Sequence, residues 1–276
     1  MKIRNPAVEG RFYPSSREGI FHQIREFEKA DRYPVKEMQA ERIFGGVLPH
    51  AGHMFSGYQT VPFFQVIRKI DRPPETFIIV HPNHTGSGLP LAVDEHEAWR
   101  NCIGDVPLDM ELAGVMDLPY SRLSHAHEHA GEVIVPYLQY YMGDQPFSIV
   151  PVCMMDQRFE RARHVAERIR HAVSKLERRV LVLASSDFSH FLSASEGAQK
   201  DQLVLDEIMR GNAAGVADAV RRNHITVCGY GPIMVLLEYA AMEDPSYRVK
   251  ILARGHSGEV VPSREVVDYI SMVVYL

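Results

Sequence analysis

Arg179-Val180-Leu181-Val182-Leu183-Ala184-Ser185-Ser186-Asp187-Phe188-Ser189-His190-Phe191 is the stretch whose reading decides the fold. Its first half is a continuously apolar, β-branched-rich run, the pattern of a strand buried on both faces. Its second half turns small and polar and sets Asp187 and His190 three residues apart. A turn or first helical turn there would bring both side chains to one side. In an open α/β sheet, ligands bind in the crevice beyond the carboxyl ends of the strands, so a buried strand emptying into Ser-Ser-Asp-x-x-His reads as the lip of a site. The plainer reading makes Ser185, Ser186 and Asp187 a cap for the next helix and leaves His190 on the surface.

Working outward, two more apolar runs end the same way. Residues 43–48 lead into Pro49-His50-Ala51-Gly52-His53, and residues 76–80 lead into His81-Pro82-Asn83-His84. Helical spacing of apolar residues predicts helices after Ser15 or Ser16 (Ile20, Phe21, Ile24, Phe27) and over 57–70, 129–141, 159–176, 194–209, 213–221 and 233–241. Further strands are predicted at 147–152, 247–254 and 266–275, with a more exposed one at 91–99. This alternation predicts an α/β single-domain layered fold over residues 1–276, with a central, mostly parallel sheet flanked by helices. Parallel strands present their carboxyl ends on one edge, so His50, His81, His84, Asp187 and His190 can converge from distant parts of the chain.

Composition narrows the function. Of 276 residues, 46% are hydrophobic and 24% charged, ordinary globular values. A net charge of −5 and a pI near 6.3 leave no electrostatic footprint for nucleic acid or an anionic membrane surface. No apolar run reaches transmembrane length. Met1-Lys2-Ile3-Arg4-Asn5-Pro6 lacks the apolar region of a secretory leader, which makes a cytoplasmic protein the expectation. Cys102, Cys153 and Cys228 are odd in number and widely spaced, against a disulfide framework and for a reducing compartment. The unusual figure is 14 histidines, several in tight groups, which points to metal binding or proton transfer.

Imidazoles and carboxylates bind divalent transition metals, and a thiolate is a softer ligand. Cys228 precedes Gly229 and a predicted helix N-terminus, where the helix dipole favours thiolate. Cys153 closes a core-like strand and is assigned to packing. In His125-Ala126-His127-Glu128-His129-Ala130-Gly131-Glu132, helical spacing would put Glu128 and Glu132 on one face beside His129, as a solvated helix start or as a site wall. Cys-x-x-Cys and His-Glu-x-x-His patterns are absent. Ser186 as a nucleophile fails: no Gly-x-Ser-x-Gly elbow surrounds it, and an adjacent Asp leaves no place for a histidine between them. Gly-x-Gly-x-x-Gly and Walker-type loops are absent as well.

The motifs Pro6-Ala-Val-Glu-Gly-Arg-Phe-Tyr-Pro14, Pro49-His-Ala-Gly52 with Ser56-Gly57, Pro82-Asn-His84, Glu128-His129 with Glu132 and Pro136, Ser185-Ser-Asp-Phe-Ser-His190, Cys228-Gly229 and Ser257-Gly258 stand in this order. The whole chain thereby resembles the Memo family, whose prokaryotic members are called AmmeMemoRadiSam system protein B. The resemblance implies the fold of the class III extradiol (LigB-like) dioxygenases and a pocket for iron or copper. Carried onto this chain, it implies His50, His84 and Cys228 as metal ligands. Asp187 and His190 would line the same pocket, His190 as the acid–base group, with His129 as a further pocket residue. His53 departs from the family's usual aromatic residue. Cys228 stands where the dioxygenases have a carboxylate; a thiolate there is itself oxidisable, so likeness of fold does not carry catechol cleavage across. The implied function is a metal-dependent, dioxygenase-like oxidoreductase acting on an unknown small molecule or protein. The alternative is a non-catalytic metal- or partner-binding protein working with AMMECR-like and radical SAM proteins.

Overall fold

The computed structural model describes residues 2–36, 38 and 40–276, so Met1 of the leader reading lies outside the described residues. After strand β1 (Ile3–Arg4), Ser16 caps helix α1 (Arg17–Ala30) by accepting the Gly19 N–H, and Ile20, Ile24 and Phe27 turn inward. Strand β2 (Ile43–Leu48) follows as read. Helix α2 (His53–Ile67) starts earlier than residue 57, because the first turn is tied down from outside: the His53 N–H donates to the Phe12 carbonyl at 2.7 Å. Strand β3 (Thr76–Pro82) runs two residues past the expected end, to Pro82.

The expected exposed strand at 91–99 is instead two short buried ones, β4 (Leu91–Val93) and β5 (Ala98–Asn101). Asp94 makes the break, its carboxylate accepting Trp99 Nε1 at 2.6 Å and His96 Nδ1 at 2.7 Å. Strand β6 (Gly104–Pro107) and short helices α3 (Met110–Met116) and α4 (Arg122–His125) come next. The predicted helix over 129–141 is corrected to a 3-10 turn, Glu132–Ile134, followed by α5 (Val135–Met142) with Pro136 in its first turn. The remainder follows the expected alternation, with β7 (Ser148–Met154), α6 (Phe159–Leu176), β8 (Val180–Ser185), an unexpected short β9 (His190–Leu192), α7 (Ala194–Met209), α8 (Ala213–Arg222), α9 (Tyr230–Glu243, starting three residues before the expected 233), β10 (Arg248–His256) and β11 (Val266–Tyr275).

Among the described residues the large sheet has the order β10-β11-β2-β8-β3-β7-β4, with β9 pairing β11. Its centre, β2-β8-β3-β7, is parallel; β4 on one side and β11 and β10 on the other run antiparallel. Strands β1, β5 and β6 form a small second sheet. Alternate residues of each central strand serve two apolar layers. Ile78, Val80, Val182 and Ala184 pack with α6 and α9, and Phe77, Ile79, Leu181 and Leu183 with α1, α2 and α5. That double burial is why these strands carry apolar residues on both faces.

Candidate metal centre

The parallel centre delivers three chain segments to one edge. Leu48 and Ser185 are register partners, so His50 and Asp187 leave the sheet side by side, and β3 brings His84. The His50 N–H donates to Asp187 Oδ1 at 2.8 Å. Cys228 comes from the loop between α8 and α9, two residues before α9 begins. Its neighbour must be glycine: a Cβ on Gly229 would lie 2.1 Å from the Ser185 carbonyl oxygen. Gln157 clamps the same loop, donating to the Cys228 carbonyl at 2.8 Å and accepting the Gly231 N–H at 2.7 Å.

Hydrogen bonds decide which imidazole nitrogen is free. The Ser185 hydroxyl donates its proton to the Ala130 carbonyl at 2.7 Å, so toward His50 Nδ1, 2.8 Å away, it can only accept. His50 therefore carries its proton on Nδ1, and its Nε2 lone pair faces Cys228 Sγ at 3.2 Å. His84 is fixed likewise: the Glu128 carboxylate accepts its Nδ1–H at 3.0 Å and also its backbone N–H. A donor atom from each of His50, His84 and Cys228 lies within 4.8 Å of the others. Convergent donors, with each ring held by an outer oxygen, are what a bound transition metal requires. His84, Glu128 and His129 also cluster, but Glu128 is occupied by His84 and by the Ala130 N–H at 2.9 Å, which makes it a holder of histidines.

Electrostatics sharpen this picture. Burial, then the neighbouring His84 and His129, push His50 well below the usual histidine range, leaving it neutral. Burial alone would raise Glu128, but the His84 hydrogen bond and the His81 and His84 imidazoles hold it below the usual carboxylate range. Burial pushes Asp187 up to about 6, against the pull of the His50 N–H. Cys228 corrects the expectation of a dipole-stabilised thiolate: burial and the adjacent Asp187 push its thiol well up. Desolvation and a nearby negative charge outweigh a helix terminus here.

His129 stands alongside, its ring 4.8 Å from His84 and 5.5 Å from His50. His190 sits at the rim, donating Nδ1–H to the Thr226 carbonyl at 2.9 Å, which leaves Nε2 as the free nitrogen. No helix cap forms over Ser185–Asp187; the next helix is capped by Ser193, and a bulge intervenes. His190 and Leu192 pair with Val267 and Val266, leaving Phe191 between them unpaired at φ 59° and 74% exposed. Such bulges re-aim side chains beside sites, here His190.

The other histidines separate. His53 is buried; its Nε2–H donates to the Val133 carbonyl at 2.8 Å and its ring lies 4.3 Å from Tyr137, so it packs α2 on α5. His81 is buried with Nε2 3.3 Å from His125 Nδ1, and His127 is exposed. Glu128 and Glu132 do not share a helical face: Glu128 holds His84, whereas Glu132 pairs with Arg4 at 2.8 Å. Arg4 also donates to the carbonyls of His125 and Glu128, both at 2.7 Å. Glu132 in turn accepts the Ala7 and Val8 N–H groups and the Tyr13 hydroxyl. The Pro6–Pro14 motif is thus a strap that fixes the Glu128 loop. Sequence reasoning missed Arg4 and Gln157 as supports and offered Ser185 only as a helix cap, because each acts on residues far along the chain.

A family model described as Memo-like protein matches residues 4–273. A MEMO1 family protein from Methanosarcina mazei is 34% identical over 280 residues, covering 99% of this chain and 100% of its own. Another, from Pyrobaculum aerophilum, is 35% identical over 285 residues and covers 100% of both chains. A third, from Archaeoglobus fulgidus, is 35% identical over 274 residues, covering 98% of this chain and 99% of its own. Among solved structures, an uncharacterized protein from Escherichia coli K12 superposes with a TM-score of 0.50 at 12% identity, over 84% of this chain and 99% of that one, a likeness of fold alone.

Proposed function

The chain belongs to the Memo family, and we propose that it is a metal-dependent oxidoreductase whose ion is held by His50, His84 and Cys228. The observation that carries this reading is the pair of preset tautomers: Ser185 and Glu128 take the Nδ1 protons of His50 and His84, and the remaining Nε2 atoms are left for a ligand beside the thiol. Iron or copper in this softened ligand set would supply one-electron chemistry and polarise a bound oxygen atom. The chain's own groups do the rest. His190, partly exposed and free at Nε2, moves a proton to or from a substrate at the rim. Asp187 holds the backbone of His50 in place, and His129 lies beside the His50 and His84 rings. The substrate is a small molecule or a protein partner reaching this edge of the sheet.

The test is anaerobic preparation, titration with Fe(II) and with copper, and metal analysis by mass spectrometry. About one ion per chain is expected, lost when His50→Ala, His84→Ala and Cys228→Ser are combined. Stoichiometric binding that survives the triple change would overturn the assignment. His190→Ala is expected to keep the metal and lose turnover; loss of metal with intact circular dichroism would place His190 among the ligands instead. Glu128→Gln is expected to weaken metal binding by about 10–100-fold, since the outer carboxylate sets ring orientation and basicity; unchanged affinity would dismiss it as a support.

The thiol favours a second reading, a metal carrier or docking protein acting with AMMECR-like and radical SAM proteins, because a cysteine ligand is readily oxidised. Air exposure of the loaded protein separates the two. Loss of metal with oxidised Cys228 and no substrate turnover supports the carrier.

A further inference from the structure

Away from the candidate ligands, two carboxyl groups meet inside the protein. Asp201 on α7 and Asp268 on β11 are 0% and 4% exposed. Asp201 Oδ1 accepts both the N–H of Ser189, at 3.1 Å, and its hydroxyl, at 2.5 Å. Oδ2 of each aspartate is buried and meets no donor among the described residues, and each carboxyl is the other's hydrogen-bonding neighbour. Two ionised carboxylates cannot share such a place; one proton between them turns repulsion into a hydrogen bond. The space is closed on the α7 side, where a Cβ on Gly197 would lie 2.5 Å from Asp268 Oδ2.

This pair grips the segment that carries Asp187 and His190. Besides the Ser189 contacts to Asp201, the Phe188 N–H donates to the Asp268 carbonyl and the Asp268 N–H to the Ser189 carbonyl, both at 2.9 Å. We propose that Asp201 and Asp268 are positioning residues that latch residues 187–190 to α7 and β11 through one shared proton, and that loss of this proton frees the segment and moves His190. The inference does not depend on a metal being bound.

The surrounding charges leave the proton in place near neutrality. Arg254 on β10 is the facing cation, but it donates to the Ala198 carbonyl at 2.6 Å and to Gln202 Oε1 at 3.1 Å. Glu259 adds negative charge, Tyr269, next along the strand, feels the charges of both Asp268 and Asp187, and His256 is the cross-strand partner of Asp268. Burial and the hydrogen bond and charge of Asp201 push Asp268 up to about 8, and burial raises Asp201 as well. Because the folded-state value lies above the unfolded one, the latch is fully present in acid and is lost as pH rises through about 8.

Hydrogen–deuterium exchange of the full chain between pH 6 and 9.5, corrected for base catalysis, tests the latch, together with NMR of the His190 ring. Protection of peptides covering 187–192 is expected to fall with a midpoint near pH 8, about tenfold per pH unit above it, while α6 stays protected. The His190 ring signal is expected to shift over the same range. Asp268→Asn keeps a donor toward Asp201 with no proton to lose, so both profiles are expected to flatten. Should that variant fail to fold, Asp201→Asn carries the same expectation. A flat wild-type profile, or an unchanged midpoint in the folded amide variant, would overturn the proposal.

Discussion

Cys228→Ser is expected to weaken metal binding at pH 7 by at least about 100-fold, more than loss of an outer support such as Glu128. The reason lies in protonation as much as in softness. Burial and Asp187 hold the Cys228 thiol protonated, so a metal ion must displace a proton to bind there. His50, held neutral by burial, has no proton to lose from Nε2, where its lone pair already faces the thiol. Binding should therefore release about one proton, and affinity should rise about tenfold per pH unit below the thiol's own value. Calorimetry in buffers of different ionisation enthalpy measures that proton directly. In Cys228→Ser both the release and the pH slope should vanish; a slope that persists would show that the proton comes from another group.

Arg4→Met is expected to destabilise the protein by about 3–5 kcal/mol, because it leaves the buried Glu132 charge without its cation, held only by the Ala7, Val8 and Tyr13 donors. Arg4 and Glu132 are 2% and 3% exposed, and one guanidinium satisfies that carboxylate and two carbonyls of the 125–128 loop. The chain's single tryptophan reports on the spot, since the Arg4 guanidinium lies 4.3 Å from the Trp99 ring centre. Urea unfolding followed by Trp99 fluorescence should show the loss. Adding Glu132→Gln should recover part of it, because the unpaired charge goes while the amide oxygen still accepts from Val8 and Tyr13. A cost near that of a surface pair, below about 1 kcal/mol, would show that water reaches Glu132 once Arg4 is gone.

The central strands and the long helices were readable because double burial leaves an unbroken apolar run and single-sided burial leaves a helical period. Residues 159–176 and 266–275 came out at the predicted bounds, and 180–184 ends one residue later, at Ser185. The readings that failed share a cause. Residues 91–99 and 129–141 carry strand-like and helix-like patterns, yet Asp94 bonding to Trp99 splits the first, and Arg4 with Glu132 draws the second into a loop and a 3-10 turn. Cys228 looked like a thiolate because its helix is visible in sequence, whereas the burial and the Asp187 charge that oppose it are not.

By itself, then, the sequence determined the alternating layers and that several histidines and an aspartate leave strands at one edge, since both follow from local apolar pattern. Only the tertiary structure decided which of them meet, which nitrogen each offers, and what holds them. Those outcomes rest on partners such as Ser185 for His50, Glu128 for His84 and Arg4 for Glu132, which are 135, 44 and 128 residues apart in the chain. A local pattern reports which face is covered from water, and the hydrogen bonds that set protonation belong to whatever does the covering.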